Sequence, residues 1–349
     1  MMFNWLKEKV SGIGRWLSDM SLDWLPLSGM VVMTYMIQRG FAAISKAGVE
    51  GVDITSGMGI YFTATAFSAL AIGFLSDRIK AHWLVGLAGV TGAIGILALE
   101  YSALVFGIGM GIAAAVSKMV PFLAPLKAKT TNIEALRLAP QAAAKNIGAA
   151  AFIFLFAALI KTAGFSLFSA IVAPLFAAVS LIAMNVMAKH AVSVVKWDLS
   201  RLKSIFSNSK FYAYGAWFAA CTWLIYNIYP KMYGAFKAAS MSRSESLMMI
   251  GILGLCSIPM RWVWAYIGDK TNNVMPMFAA FGTYIVMYFA IARFNPMIVV
   301  PIFFLAMSMV TQNMWPTAKK WFTKDDLGTA MGIIMIITYL IVGLTFGKW

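Results

Sequence analysis

Two arginines interrupt long apolar runs of this chain, and a charge in such a place needs a physical reason. Arg39 lies in "TYMIQRGFAAI", four residues after Tyr35 and directly after Gln38. A guanidinium there can grip an oxyanion through two parallel N–H groups, with the phenol and the amide supplying neutral hydrogen bonds around it. The alternatives are that it extends to the headgroup layer or pairs with a neighbouring side chain. Arg261, in "IPMRWVWAYIGDK", is open to two readings, a second anion contact or a salt bridge at a gate between helices. A third constellation is "GFLSDRIKAHW", which follows Gly73 with Asp77, Arg78 and Lys80 at the end of an apolar run. Arg78 and Lys80 suit a helix C-terminus, whereas Asp77 is repelled by the terminal carbonyls and calls for a basic side chain or the positive N-terminus of another helix. "AYIGDKTN" repeats the acidic and basic pair as Asp269 and Lys270, 192 residues further on. No nucleophile–base pair or His/Cys/Asp/Glu cluster is spaced for catalysis or for a metal, so no enzyme, no cofactor and no metal site is expected. Cys221 and Cys256 read as free thiols inside apolar runs. His82 and His190 fall at helix ends, and no acidic residue falls inside a span as a clear proton carrier.

The elements that carry these residues follow from composition. The 349 residues are 61% hydrophobic and 12% charged, a balance that a water-soluble domain could not present to solvent. Apolar windows recur that are each long enough to cross about 30 Å of hydrocarbon as a helix. Eleven spans are predicted: 25–45, 54–75, 82–100, 102–126, 146–162, 165–188, 211–233, 246–267, 274–292, 296–316 and 328–347. Residues 1–24 alternate Phe3, Leu6, Val10, Ile13 and Leu17 with Lys7, Lys9 and Arg15 at helical spacing, which predicts an amphipathic helix lying on the membrane surface. With the N-terminus in the cytoplasm, about 19 Lys and Arg fall inside, Lys118 and Lys145 among them, against about 7 outside. That bias fixes the orientation and accounts for the net charge of +15 without nucleic acid.

The basic stretch 189–210 is the longest polar interruption, and the recurrence of the Asp/basic pair six spans later marks two parallel repeats. The predicted domains are therefore the surface helix 1–24, a six-helix half 25–188, a cytoplasmic linker 189–210 and a five-helix half 211–349. The fold class is an all-α polytopic membrane protein.

On the residues Gly73, Leu75, Asp77 and Arg78, with the echo at Asp269 and Lys270, the chain resembles the major facilitator superfamily. The resemblance implies two parallel six-helix repeats, here short by one helix, and makes these residues a latch that closes the inside gate. It further implies a cavity lined by the first, fourth, seventh and tenth helices, where Tyr226, Asn227, Gln312 and Asn313 become candidate solute contacts. Three consecutive polar side chains, "TQN" at 311–313, need partners or water within a span in any case. Three further stretches resemble the organophosphate:phosphate antiporter branch. They are Tyr35, Arg39, Phe41 and Ala42; Asn146 and Gly148 in "AAAKNIGAAAF", with Lys145 where that branch has His; and Gly328, Thr329, Ala330 and Gly332 near the end.

This second resemblance makes Lys145 a candidate anion contact, although by position it also reads as a topogenic lysine at the cytoplasmic mouth of the fifth span. The branch's seventh-helix Arg has no counterpart near Thr222, and its second-helix Lys falls near Ala69. Lys145, Lys231 and Arg261 are the candidates to supply the missing charge; otherwise the solute is a monoanion or neutral. The chain ends after "LIVGLTFGKW" without a twelfth span, which predicts a less stable second half. The expectation is a monomeric secondary transporter in a bacterial inner membrane, in contact with lipid, that moves a small anionic solute by rocker-switch alternating access. The alternatives are a non-transporting sensor or scaffold, and a proton-coupled carrier of a neutral or monocarboxylate solute.

Overall fold

In hydrocarbon no water is available to the backbone, so a chain this apolar satisfies its amides within helices. The computed structural model describes residues 25–44, 54–128, 134–155, 161–189, 199–271 and 273–346. The surface helix expected at 1–24, residues 190–198 of the linker and the side chain of Arg39 lie outside what is described. The first half comprises α1 (Leu25–Ile44), α2 (Ile54–Ser76), α3 (Ala81–Leu97), α4 (Ala103–Ala128), the short α5 (Glu134–Arg137), α6 (Ala139–Leu155) and α7 (Lys161–Ala188). After α8 (Leu199–Ser207), the second half runs through α9 (Ser209–Ala238), α10 (Arg243–Leu255), α11 (Ser257–Lys270), α12 (Val274–Ala290), α13 (Pro296–Trp321) and α14 (Leu327–Thr345).

Among the described residues, six stretches are long and apolar enough to cross a bilayer, one of them Ser244–Lys270, which joins α10 and α11 across a break at Cys256. Local chemistry sets several helix starts. Asn208 caps α9 by accepting from Lys210 N, Ser242 and Glu245 form a reciprocal capping box on α10, and Asn295 caps α13 ahead of Pro296. The lipid face is legible on α3, where exposed Trp83, Leu87, Val90, Ile94 and Leu97 follow one another at steps of four and three. Water would not tolerate such a stripe, whereas lipid matches it.

The two halves meet along α2 with α14, and along α6 with α10 and α11. The first seam is close because its facing residues are small. A Cβ built on Gly73 of α2 would stand 2.7 Å from the Gly328 carbonyl oxygen and 2.8 Å from the Gly332 Cα of α14. Within the first half, α1 and α6 approach as closely: a Cβ on Gly148 would stand 2.2 Å from the Val32 carbonyl oxygen. Backbone atoms cannot swing aside, so glycine at these positions sets the interhelical distance.

One expected boundary moves. The fifth span was read from 146, but α6 begins at Ala139. The run "APQAAA" has high helix propensity although Gln141, Lys145 and Asn146 lower its hydropathy. Lys145 therefore sits inside the helix, 4% exposed, and not at its mouth. The same correction applies to Lys118, counted above among the inside lysines: it lies in the middle of α4 and is 3% exposed.

Candidate functional site

Both of those lysines line one cavity of about 40 Å³ between the halves. Tyr35 of α1 joins them from the first half. The second half contributes Phe218, Thr222, Ile225 and Tyr226 of α9, Thr311, Met314 and Trp315 of α13, and Met335 and Tyr339 of α14. The Lys118 ammonium is enclosed by phenol rings. Its Nζ stands 4.0 Å from the Tyr339 ring centroid, 5.3 Å from that of Tyr61 and 5.8 Å from that of Tyr226, and it lies 3.4 Å from the Tyr61 hydroxyl. Lys145 Nζ lies 4.3 Å from the Phe122 ring and 5.5 Å from that of Tyr35. Ring faces stabilise a desolvated cation by about 2 kcal/mol or more, so the aromatic walls offset part of the cost of burying two positive charges.

The cavity is contracted and closed toward the end where α4 and α11 finish. Phe122 of α4 stacks face to face on Trp315 of α13, with centroids 5.5 Å apart and planes 6° off parallel. On the opposite side, Gln38 of α1 donates through its amide to the Tyr226 hydroxyl, and Phe62 packs edge-on against Tyr226 at 4.9 Å. Pockets for small solutes usually measure about 300 to 1,000 Å³, so a solute enters only as the halves separate.

Beyond the Phe122–Trp315 stack, each half supplies an aspartate to a helix N-terminus of the other. Asp77, 5% exposed, pairs with Lys127 of α4 within its own half. Across the interface it accepts hydrogen bonds from Thr329 N at 3.0 Å and Thr329 Oγ1 at 2.8 Å, in the first turn of α14. Asp269, at the end of α11, accepts from Ala135 N at 2.9 Å and Leu136 N at 3.0 Å, at the N-terminus of α5. Gln312 of α13 donates to the Ala135 carbonyl at 2.6 Å, so both backbone groups of Ala135 are held by the second half. A carboxylate meets unbonded N–H groups and the positive end of a helix in each case.

Two helical halves, a central cavity and paired carboxylate-to-helix contacts describe an architecture, and the chain matches the family model described as Major Facilitator Superfamily over residues 25–346. The chain belongs to the major facilitator superfamily. Among solved structures, a D-xylose-proton symporter superposes with a TM-score of 0.65 at 12% identity, covering 95% of this chain and 89% of that one. The human organic anion transporter MFSD10 superposes with a TM-score of 0.68 at 15% identity, covering 93% and 90% respectively. At those identities the likeness is one of fold. No curated protein matches the chain in sequence.

Set in the superfamily's fold, the residues expected from sequence separate into groups. Tyr35, Lys145 and Tyr226 converge on the cavity. Gln38 lies beside it, joined to Tyr226, and its Oε1 is buried with no hydrogen-bond partner among the described residues. Arg39 lies on α1 one residue further, with its side chain outside the described set. Asn227 turns back on its own helix, donating to Trp223 O at 3.0 Å. Gln312 reaches the Ala135 carbonyl as above, and Asn313 is wedged against α11, where a Cβ on Gly268 would fall 1.8 Å from its Oδ1. Neither lines the cavity in this conformation; Thr311 does. Arg261 is fully buried and bridges the halves: Nη2 donates to Asn146 Oδ1 of α6 at 3.0 Å, and Nη1 donates to Ser308 O of α13 at 3.1 Å and to Thr311 Oγ1. Near the Asp77 and Asp269 contacts, Arg78 lies over the Phe74 ring, Lys270 lies near the Tyr266 ring, and Lys80 is exposed. Lys118 was the residue that sequence reading passed over. Its signal was present: fifteen residues into one uninterrupted 26-residue apolar helix, it cannot belong to a loop.

Proposed function

We propose that the chain is a secondary transporter of a small anionic solute, held here with its inside gate closed. The observation that carries this reading is the pair of buried lysines, Lys118 and Lys145, on the wall of one cavity between two rigid halves. Two ammonium groups in a medium of low dielectric repel a cationic solute and attract an anion. Arg39, one turn from Tyr35 on α1, is the third candidate cation, and Lys118 supplies from α4 a charge to the cavity that Thr222 lines, where the antiporter branch has an Arg and this chain has none. The resemblance to the organophosphate:phosphate antiporter branch rests on Tyr35, Arg39, Asn146, Gly148 and the Gly328–Gly332 stretch, with Lys145 in place of that branch's His, and is the finer part of the proposal.

Gating then follows from the latches. Asp77 to Thr329 and Asp269 to Ala135 and Leu136 must break for the halves to part at that end. The basic residues Arg78, Lys80, Lys127, Lys270, Lys319 and Lys320 gather near the same end, which favours a cytoplasmic N-terminus and an inside position for the latches. Uptake of labelled phosphate esters and carboxylates into proteoliposomes tests the reading, with an Arg39→Ala control. Flux of an anion that falls in the control supports it; saturable flux of neutral sugars alone refutes the anionic part.

A further inference from the structure

Charge is only half of what the cavity wall displays. Its polar side-chain groups are those of Lys118, Lys145, Thr222 and Thr311, the tyrosine hydroxyls and the Trp315 indole N–H. The amide N–H donors near the cavity are committed elsewhere: Gln38 to the Tyr226 hydroxyl, Gln312 to the Ala135 carbonyl, Asn313 to its own helix, and Asn146 to Ser257. A solute covered with hydroxyl groups would set those that face Phe218, Ile225, Met314 and Met335 against surface that cannot pair them, and each unpaired buried group is costly. An apolar body meets no such penalty, and the rings and thioethers of this wall offer it dispersion contacts.

We infer that the cavity takes an organic anion with an aromatic or branched apolar body, its acid group received between Lys118 and Lys145. This rests on the anionic reading above and narrows it. Lys118 is also the group that must move for binding. Its cage is drawn from both halves, with Tyr61 on α2 and Tyr226 and Tyr339 on α9 and α14. In the contracted state the ammonium rests among rings of both halves. An incoming acid group draws it out of the cage, leaving Tyr226 and Tyr339 to face the apolar body. Lys118 thus reads the charge of the solute, and the tyrosines that release it read the body.

The test uses the purified full chain and a matched pair of probes, phenyl phosphate and glycerol 3-phosphate, which share a phosphate monoester head and differ in body. Thermal stabilisation of the wild-type protein should reach half its maximum at a phenyl phosphate concentration about tenfold or more below that needed for glycerol 3-phosphate, as burial of a ring predicts. Lys118→Gln should raise the phenyl phosphate concentration required by about tenfold or more through loss of a charge-assisted contact, while Lys118→Arg retains part of the response. The wild-type comparison needs no variant and so survives any folding defect. Glycerol 3-phosphate acting at equal or lower concentration overturns the apolar-body inference and leaves the anionic reading standing. No response to either phosphate ester overturns the inference, and stabilisation by xylose in their place overturns the anionic reading as well.

Discussion

Asp77→Asn separates the energy of gating from the energy of folding, because Asp77 bonds in both directions. Its ion pair with Lys127 lies within the first half and persists in every rigid-body arrangement, so it cancels from the gating equilibrium. The two bonds from Thr329 cross between halves and exist only with the gate closed. Hydrogen bonds to a charged acceptor contribute about 1.5 to 3 kcal/mol each against about 1 for neutral ones, and the helix N-terminus adds a few tenths more. Neutralising the acceptor therefore costs the closed state about 2 kcal/mol, which is about a thirtyfold shift toward the inside-open arrangement. Spin labels at the exposed Lys80 and Lys324, which flank the seam from opposite halves, would report it by pulsed dipolar spectroscopy. The variant should show a longer distance population absent or minor in the wild type. Distance distributions that superpose in the two proteins, with the variant folded, would refute the role assigned to Thr329.

Other substitutions follow from the same geometry. Gly73→Ala should lower the melting temperature by several degrees, since its Cβ meets the backbone of Gly328 and Gly332; overpacking of this kind costs about 1 to 3 kcal/mol. Gly234→Ala, where nothing lies within 4 Å, is the matched control and should be neutral or slightly stabilising in the same melt. Arg261→Ala should destabilise by about 3 kcal/mol, because Asn146, Ser308 and Thr311 lose a common donor inside the protein, and a thermal-shift measurement would register it as a marked fall. Asp325→Asn should change stability by less than about 1 kcal/mol, since its 3.7 Å contact with Arg201 is exposed and screened.

How much of this was legible in the sequence depended on whether the decisive physics was local. An aspartate at a helix C-terminus is repelled there whatever surrounds it, so Asp77 and Asp269 announced partners that the fold supplies as helix N-termini. Gln312 and Asn313 were rightly read as needing partners, but which way a side chain points around α13 is decided by packing, and both point toward the gate region and α11 rather than the cavity. Lys118 and Lys145 were obscured for a different reason. Hydropathy averages treat a lysine within ten residues of a span end as topogenic, whereas the preceding Ala-rich turns extend α6 and the prolines of α4 do not end it. Lys118 was thereby read as topogenic charge and Lys145 was left open between that and an anion contact, although each lies in the interior.

Counterflow tests the central claim most directly. Vesicles containing the purified chain are loaded with unlabelled phenyl phosphate and diluted into a trace of the labelled compound. A carrier whose single cavity faces one side at a time must show transient accumulation of label above its equilibrium level, and Lys118→Gln must diminish it. Label that equilibrates at the same rate with and without internal solute, or that does not enter at all while a neutral solute does, would contradict alternating access to an anion.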